Sequence, residues 1–100
     1  MPEKLTASQL ASSLAALPGW SQVDGTLVRS AKLATFPLAL GVVAAVGALA
    51  QGLNHHPDID IRYRTLTFTL SSHDVGGLTE RDLALAHAIS DILERTAASG

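Results

Sequence analysis

The spacing of hydrophobic residues predicts a helix followed by a β-hairpin in the first third of the chain. Leucines recur at helical intervals over Thr6 to Leu17, and Thr6 with Gln9 has the spacing of a capping box. Pro18-Gly19 ends that pattern. Trp20 to Leu33 then predicts two short strands joined at Asp24-Gly25, a dipeptide that favours tight hairpins whose central positions need positive φ.

The middle of the chain is an almost wholly apolar segment. A second helix is predicted from Phe36 to Leu53, with Pro37 tolerated in its first turn. Leu33 to Ala50 carries no charge, but it contains proline and glycine and lacks an aromatic belt, whereas a membrane span needs roughly 20 apolar residues. We therefore expect no membrane span. We expect a helix buried on most of its circumference, which in so small a chain indicates a subunit interface.

A second hairpin is predicted between Asp58 and Ser72, where the alternation of apolar residues changes phase. If Arg64-Thr65 is a two-residue turn, Ile61 faces Phe68 and all the apolar side chains share one face of the sheet. The same register places His56 opposite His73, with Cβ atoms about 4.5 to 5.5 Å apart.

The last helix is predicted from Glu80 to about Arg95, with Thr79 and Asp82 as its capping pair and with Ala97 to Gly100 frayed. The element order is α-β-β-α-β-β-α. It predicts a single α+β domain over residues 1–100, in which three helices cover one face of a four-stranded antiparallel sheet.

Composition narrows the possible functions. Seven basic and nine acidic residues, with no run of like charge, argue against a nucleic-acid partner. The chain has no cysteine, which excludes thiol catalysis and thiolate metal sites and fits a reducing compartment. The polar N-terminus lacks the apolar core of a signal peptide. We expect a cytoplasmic protein.

Three of the four histidines fall in two short polar stretches, Asn54-His55-His56-Pro57 and Ser71-Ser72-His73-Asp74. Imidazole can donate or accept a proton near neutral pH, so a histidine cluster favours acid–base chemistry. The alternatives are imidazoles at the negative end of a helix dipole and a three-histidine zinc site. No second shell for a metal is evident, and no metal is expected. His87 is predicted to be structural.

These residues resemble the signature of the pterin-4a-carbinolamine dehydratase family, and the resemblance extends from about Trp20 to Leu93. The matching positions are Gln51, His55-His56-Pro57, Tyr63, His73 and Asp82. Gln51 departs from the family, which most often has an acidic residue there. The purely structural alternatives are that Asp82 is only a helix cap, that Gln51 is a polar residue at a helix end, and that Tyr63 belongs to the core or the sheet surface.

The resemblance implies a hydro-lyase. Aromatic amino-acid hydroxylases leave their tetrahydropterin as a 4a-hydroxy adduct, and this family removes water from it to give quinonoid dihydropterin. The implied acid–base residues are His55, His56 and His73, the implied substrate contacts are Asn54, His55, His56, Ser71, Ser72, His73 and Asp74, and the implied supporting residues are Gln51, Pro57, Tyr63 and Asp82.

The resemblance also implies partners. The pterin is the substrate, no separate cofactor is needed, and the family implies dimers that pair into tetramers. The alternative function is a non-catalytic scaffold or assembly factor with the same fold. Retention of all three histidines favours the enzyme.

Overall fold

The computed structural model describes residues 3–99, which contain three helices and four strands. In chain order these are α1 (Ala7–Leu14), β1 (Ser21–Val23), β2 (Thr26–Lys32), α2 (Phe36–Leu53), β3 (Asp58–Arg62), β4 (Thr65–Leu70) and α3 (Glu80–Ser99). All neighbouring strands are antiparallel, in the order β1-β2-β4-β3. The predicted α+β architecture and element order are confirmed.

The core lies between the sheet and the three helices. Along central strand β4, Leu66, Phe68 and Leu70 are fully buried, and they join one cluster with Leu85 and Ile89 of α3. Burying each such side chain stabilises the fold by about 1.5 to 3 kcal/mol. The threonines that alternate with them face the other side of the sheet and are only half-buried. The alternation of apolar residues and threonines in β4 therefore separates the side chains of the core from those of the open face.

The outer helices differ from the prediction at their ends. The capping box of Thr6 and Gln9 is confirmed, but α1 ends at Leu14, and Leu17 is buried from the turn that follows. Helix α3 continues to Ser99, four residues past the predicted end, and the fraying of its last residues stays a prediction. Gly100 lies outside the described residues.

The two hairpin turns also need correction. Asp24 adopts φ 54°, but Gly25 does not lie in the left-handed region, so only one turn position has the expected positive φ. The second turn is at Tyr63-Arg64 rather than Arg64-Thr65, because Ile61 pairs with Leu66.

The predicted register of β3 on β4 is therefore wrong by two residues, and His56 does not stand directly opposite His73. Two tertiary contacts are made by the residues of the displaced turn. The Tyr63 ring stacks on Phe36 with a centroid distance of 6.0 Å, and Leu33 N–H donates to the Arg64 carbonyl at 2.8 Å. A shift of two leaves every side chain on its original face, so the apolar pattern is equally satisfied.

Helix α2 buries less of its surface than predicted. Its buried residues form one stripe, Ala39, Val42, Val46 and Ala50, while Leu40 and Leu53 are more than 40% exposed. Within residues 3–99, this is the one helix long and apolar enough to cross a membrane, with a mean hydropathy of 1.8 over 18 residues. The expected burial on most of its circumference is thus wrong for the single chain, because one face is covered and the rest is open.

Candidate active site

The first histidine pair is positioned by the end of α2. Asn54 adopts the left-handed conformation (φ 52°, ψ 39°), and its N–H bonds the carbonyls of Ala50 and Gln51. Asparagine is one of the few non-glycine residues that adopts this conformation readily. The chain therefore leaves the helix sharply, and the next two residues, His55 and His56, stand directly beyond its C-terminus.

His55 is buried against a carboxylate from the start of α3. Its Nε2 lies 2.7 Å from Oδ1 of Asp82, whose side chain is fully buried. An ionised carboxylate only accepts hydrogen bonds, so Nε2 carries the hydrogen. The other ring nitrogen, Nδ1, has no hydrogen-bond partner among the described residues. His55 is thus oriented through one nitrogen and available through the other.

Asp82 also anchors the second polar stretch. Its Oδ2 accepts from the Ser72 hydroxyl at 2.7 Å and from the Thr79 backbone N–H at 2.9 Å. Because the single Ser72 proton is used there, the Thr79 hydroxyl donates to Ser72, across 2.9 Å. The predicted capping pair is confirmed, and the same carboxylate joins His55 to Ser72, the residue before His73.

His56 has a neutral partner. Its Nε2 lies 2.9 Å from Oε1 of Gln51, which stands in the last turn of α2. An amide oxygen only accepts, so Nε2 again donates and Nδ1 is left without a partner in the described part of the chain. Gln51 therefore keeps the geometric role expected of the acidic residue typical of this position, without supplying a charge.

His73 lies in a short loop, residues 72–77, between β4 and α3. The loop closes where Ser72 N–H donates to the Gly77 carbonyl at 2.8 Å, and His73 itself is exposed. No side-chain hydrogen bond of His73 is found within residues 3–99. Both of its ring nitrogens are accessible.

Asp74, the next residue, is held by Arg81 of α3, whose Nη2 donates to Oδ1 at 2.6 Å. This hydrogen bond with Arg81 is the chief cause that holds the pKa of the Asp74 carboxyl below its usual value. Arg81 is absent from the predicted site, and its place beside Asp82 was the available signal.

The remaining predicted site residues are not all brought together. Pro57 follows the histidine pair into β3, and Ser71 is half-buried beside Ser72. Tyr63 is 71% exposed at the hairpin turn, which is the opposite end of β3 from His56. His87 is exposed on α3 and lies apart from this network. The supporting role of Tyr63 stays a prediction.

A cavity and a metal-binding cluster are the other kinds of site that the structure could offer. A cavity of about 480 Å³, lined by Lys32, Leu38 and Arg64 among others, lies at the far end of β4, and the Arg64 guanidinium there bonds the carbonyls of Leu33 and Ala34. Within residues 3–99, no group of three or more histidine or acidic side chains could hold a metal ion. The histidine cluster is the better candidate, because it carries oriented imidazoles.

Comparison with known proteins identifies the family of this chain. The family model described as pterin 4 alpha carbinolamine dehydratase matches residues 3–92. A protein from Chloroflexus aurantiacus is 47% identical over 90 residues, which are 90% of this chain and 97% of the relative. A protein from Mycobacterium tuberculosis is 49% identical over 85% of this chain and 90% of its own length. Both are named, provisionally, pterin-4-alpha-carbinolamine dehydratases.

Two solved structures share the fold. A transcriptional coactivator/pterin dehydratase from Brucella melitensis superposes with a TM-score of 0.87 at 35% identity, covering 90% of this chain and 98% of that one. A pterin dehydratase-like protein identified as a RuBisCO assembly factor superposes with a TM-score of 0.64 at 18% identity, covering 74% and 88%. The second similarity shows the fold alone. The matched model and the identity to these relatives establish that the chain belongs to the pterin-4-alpha-carbinolamine dehydratase family.

Proposed function

We propose that this chain is an active dehydratase that removes water from 4a-hydroxytetrahydropterin to give quinonoid dihydropterin. The observation that carries the proposal is the pairing of His55 with buried Asp82. A carboxylate that holds Nε2–H in place orients the imidazole and leaves Nδ1 for proton transfer. His56 is held in the same way, because its Nε2 bonds Gln51 and its Nδ1 is left for proton transfer.

The reaction needs two proton transfers. An imidazolium donates a proton to the departing 4a-hydroxyl as the carbon–oxygen bond breaks. A neutral imidazole takes the proton from the neighbouring ring nitrogen, whose electrons form the carbon–nitrogen double bond. The products are water and the quinonoid dihydropterin, and no proton is gained or lost overall. Each acid or base contribution is worth about 10² to 10⁴ in rate. His55, His56 and His73 supply these groups.

The substrate contacts follow from the same residues. The polar groups proposed to bind the pterin edge belong to the end of α2 and to the start of the 72–77 loop: Asn54, His55, His56, Ser71, Ser72, His73 and Asp74. A small, planar, polar heterocycle suits such a set. We further propose that the protein acts in the cytoplasm beside an aromatic amino-acid hydroxylase, which would supply the 4a-hydroxy adduct.

The test is the rate of breakdown of 4a-hydroxytetrahydropterin generated in place by a phenylalanine hydroxylase. Wild type is expected to accelerate it, and His55→Ala, His56→Ala and His73→Ala are each expected to lose about 10² or more of that acceleration. His87→Ala, an exposed histidine on α3, is the control and should behave as wild type. Full activity in the variant that lacks all three site histidines would refute the proposal.

The second candidate function is protein binding. The open face of α2 favours it, because exposed apolar surface of this extent marks interaction sites. One solved relative is described as a transcriptional coactivator/pterin dehydratase, and a protein that shares the fold is described as a RuBisCO assembly factor. A wild-type chain without any dehydratase activity would favour this second function.

A further inference from the structure

The tip of the loop that carries His73 is held by one polar side-chain contact. At its base, the loop is closed by the Ser72–Gly77 pairing, and inside it Val75 N–H bonds the Ser72 carbonyl at 3.1 Å. Among the described residues, the side-chain hydrogen bond from positions 73–76 to another element is the ion pair of Asp74 with Arg81, at 2.6 Å. Arg81 is therefore the polar side chain that ties the tip to α3.

Arg81 and Asp82 act on two parts of one loop. Asp82 bonds the base of the loop through Ser72 and also holds His55. Arg81, the next residue along α3, bonds the tip through Asp74. Its own backbone N–H donates to the Thr79 hydroxyl at 3.2 Å, which ties it to the same network. The first turn of α3 thus contacts both histidine-bearing segments.

The Arg81 contact is made through one arm of the guanidinium. Nη2 bonds Asp74, whereas Nε is buried and has no hydrogen-bond partner within residues 3–99. Both side chains of the pair are partly exposed, so burial adds little to the strength of this ion pair. A lysine at this position would keep the positive charge but would lack the planar guanidinium group with its several N–H donors.

We infer that Arg81 is a positioning residue that holds His73 in its working orientation by fixing Asp74, an inference that rests on the proposed dehydratase function. Asp74 then serves the reaction by anchoring the loop to Arg81, as well as through any contact with the pterin. Without the ion pair, the tip of the loop takes up other conformations and His73 is out of place for part of the time. Misplacement of a reacting group by about 1 Å can cost as much as 10²-fold in rate.

The first test is kinetic. Arg81→Gln is expected to lower kcat by about 10-fold, and Arg81→Lys should restore most of the loss. In a His73→Ala background, Arg81→Gln should lower kcat no further, because its effect on kcat passes through that imidazole. Loss of a contact between Asp74 and the pterin would raise KM instead. The matched control is Arg62→Gln, which removes the exposed ion pair with Asp60 on β3. An Arg81→Gln effect that is equally large with and without His73 would overturn the inference.

The second test does not depend on activity. Backbone amide exchange at Val75 and Gly76, whose N–H groups bond the Ser72 and His73 carbonyls, is expected to become at least 5-fold faster in Arg81→Gln and to stay unchanged in Arg62→Gln. Unchanged exchange in Arg81→Gln overturns the inference. A wild-type chain without dehydratase activity overturns the proposed function instead, and exchange still decides whether Arg81 holds the loop.

Discussion

At the scale of single residues, Asp82 connects more of the site than any histidine does. One buried carboxylate accepts from His55, from Ser72 and from the backbone of Thr79. Hydrogen bonds to a buried ionised group are stronger than those between neutral groups, and removing one partner leaves the others without compensation. Asp82 therefore caps α3, and the same side chain also holds His55.

Asp82→Asn tests this double role. The variant keeps the shape of the side chain, but an amide nitrogen must now face a donor from Ser72, Thr79 or His55. We expect the free energy of unfolding to fall by about 2 to 4 kcal/mol. We also expect dehydratase activity to fall in the protein that remains folded, because His55 loses its orienting partner. Chemical denaturation and the breakdown assay measure the two effects.

The control for that experiment is Asp91→Asn, the same substitution at an exposed position of the same helix. It should leave both stability and activity within error of wild type. Equal effects of the two substitutions would show that the buried network around Asp82 has no special importance.

At the scale of elements, the site is assembled from the ends of α2, β4 and α3 rather than from their middles. Helix α2 stops at Asn54, β4 stops at Leu70, and α3 begins after Thr79. Backbone groups at helix and strand ends lack partners within the element, so side chains there form the caps and turns. The same polar residues that end these elements make the site.

Asn54 allows the capping and binding roles to be separated. Asn54→Gly should leave the unfolding free energy within about 0.5 kcal/mol of wild type, because glycine adopts the left-handed conformation freely. Asn54→Ala should cost about 1 kcal/mol. If Asn54 also binds the pterin, both variants should raise KM for the substrate. An unchanged KM in the stable glycine variant would show that Asn54 is a cap alone.

At the scale of the whole molecule, α2 is an apolar helix that the single chain covers on one face only. Leu40 is more than 40% exposed, and the small residues Ala44 and Gly47, four and seven positions further along the helix, are exposed on the same face. A surface of this kind allows a second helix to approach closely. We propose that it pairs with other copies of the chain in a homodimer or homotetramer.

Light scattering of the purified protein tests this assembly. Wild type is expected at two or four times the 10.4 kDa mass of the chain. Ala44→Glu, which places a charge on the open face of α2, should shift the protein to smaller species. Ala84→Glu, at an exposed position of α3, should not. A monomeric wild-type protein would contradict the proposal.

Much of the fold follows from local patterns. The alternation in Thr65 to Leu70 gives β4 its buried and open faces, and the caps at Thr6 and Thr79 act within three residues of sequence. Short-range effects of this kind are encoded by residue type and spacing, so sequence reasoning recovers them. The clustering of histidines in two polar stretches identified the candidate site for the same reason.

The sequence by itself therefore determined the elements, their order and the residues available for chemistry, whereas the tertiary structure decided which of them meet. The ring of Tyr63 in the second turn stacks on that of Phe36, and the hydrogen bond of His55 reaches Asp82, 27 residues away. The pair of Asp74 and Arg81 likewise joins two elements. A register shift of two preserves every face of a strand, and long-range hydrogen bonds leave no periodic trace in the sequence, so only packing in three dimensions selects among the alternatives.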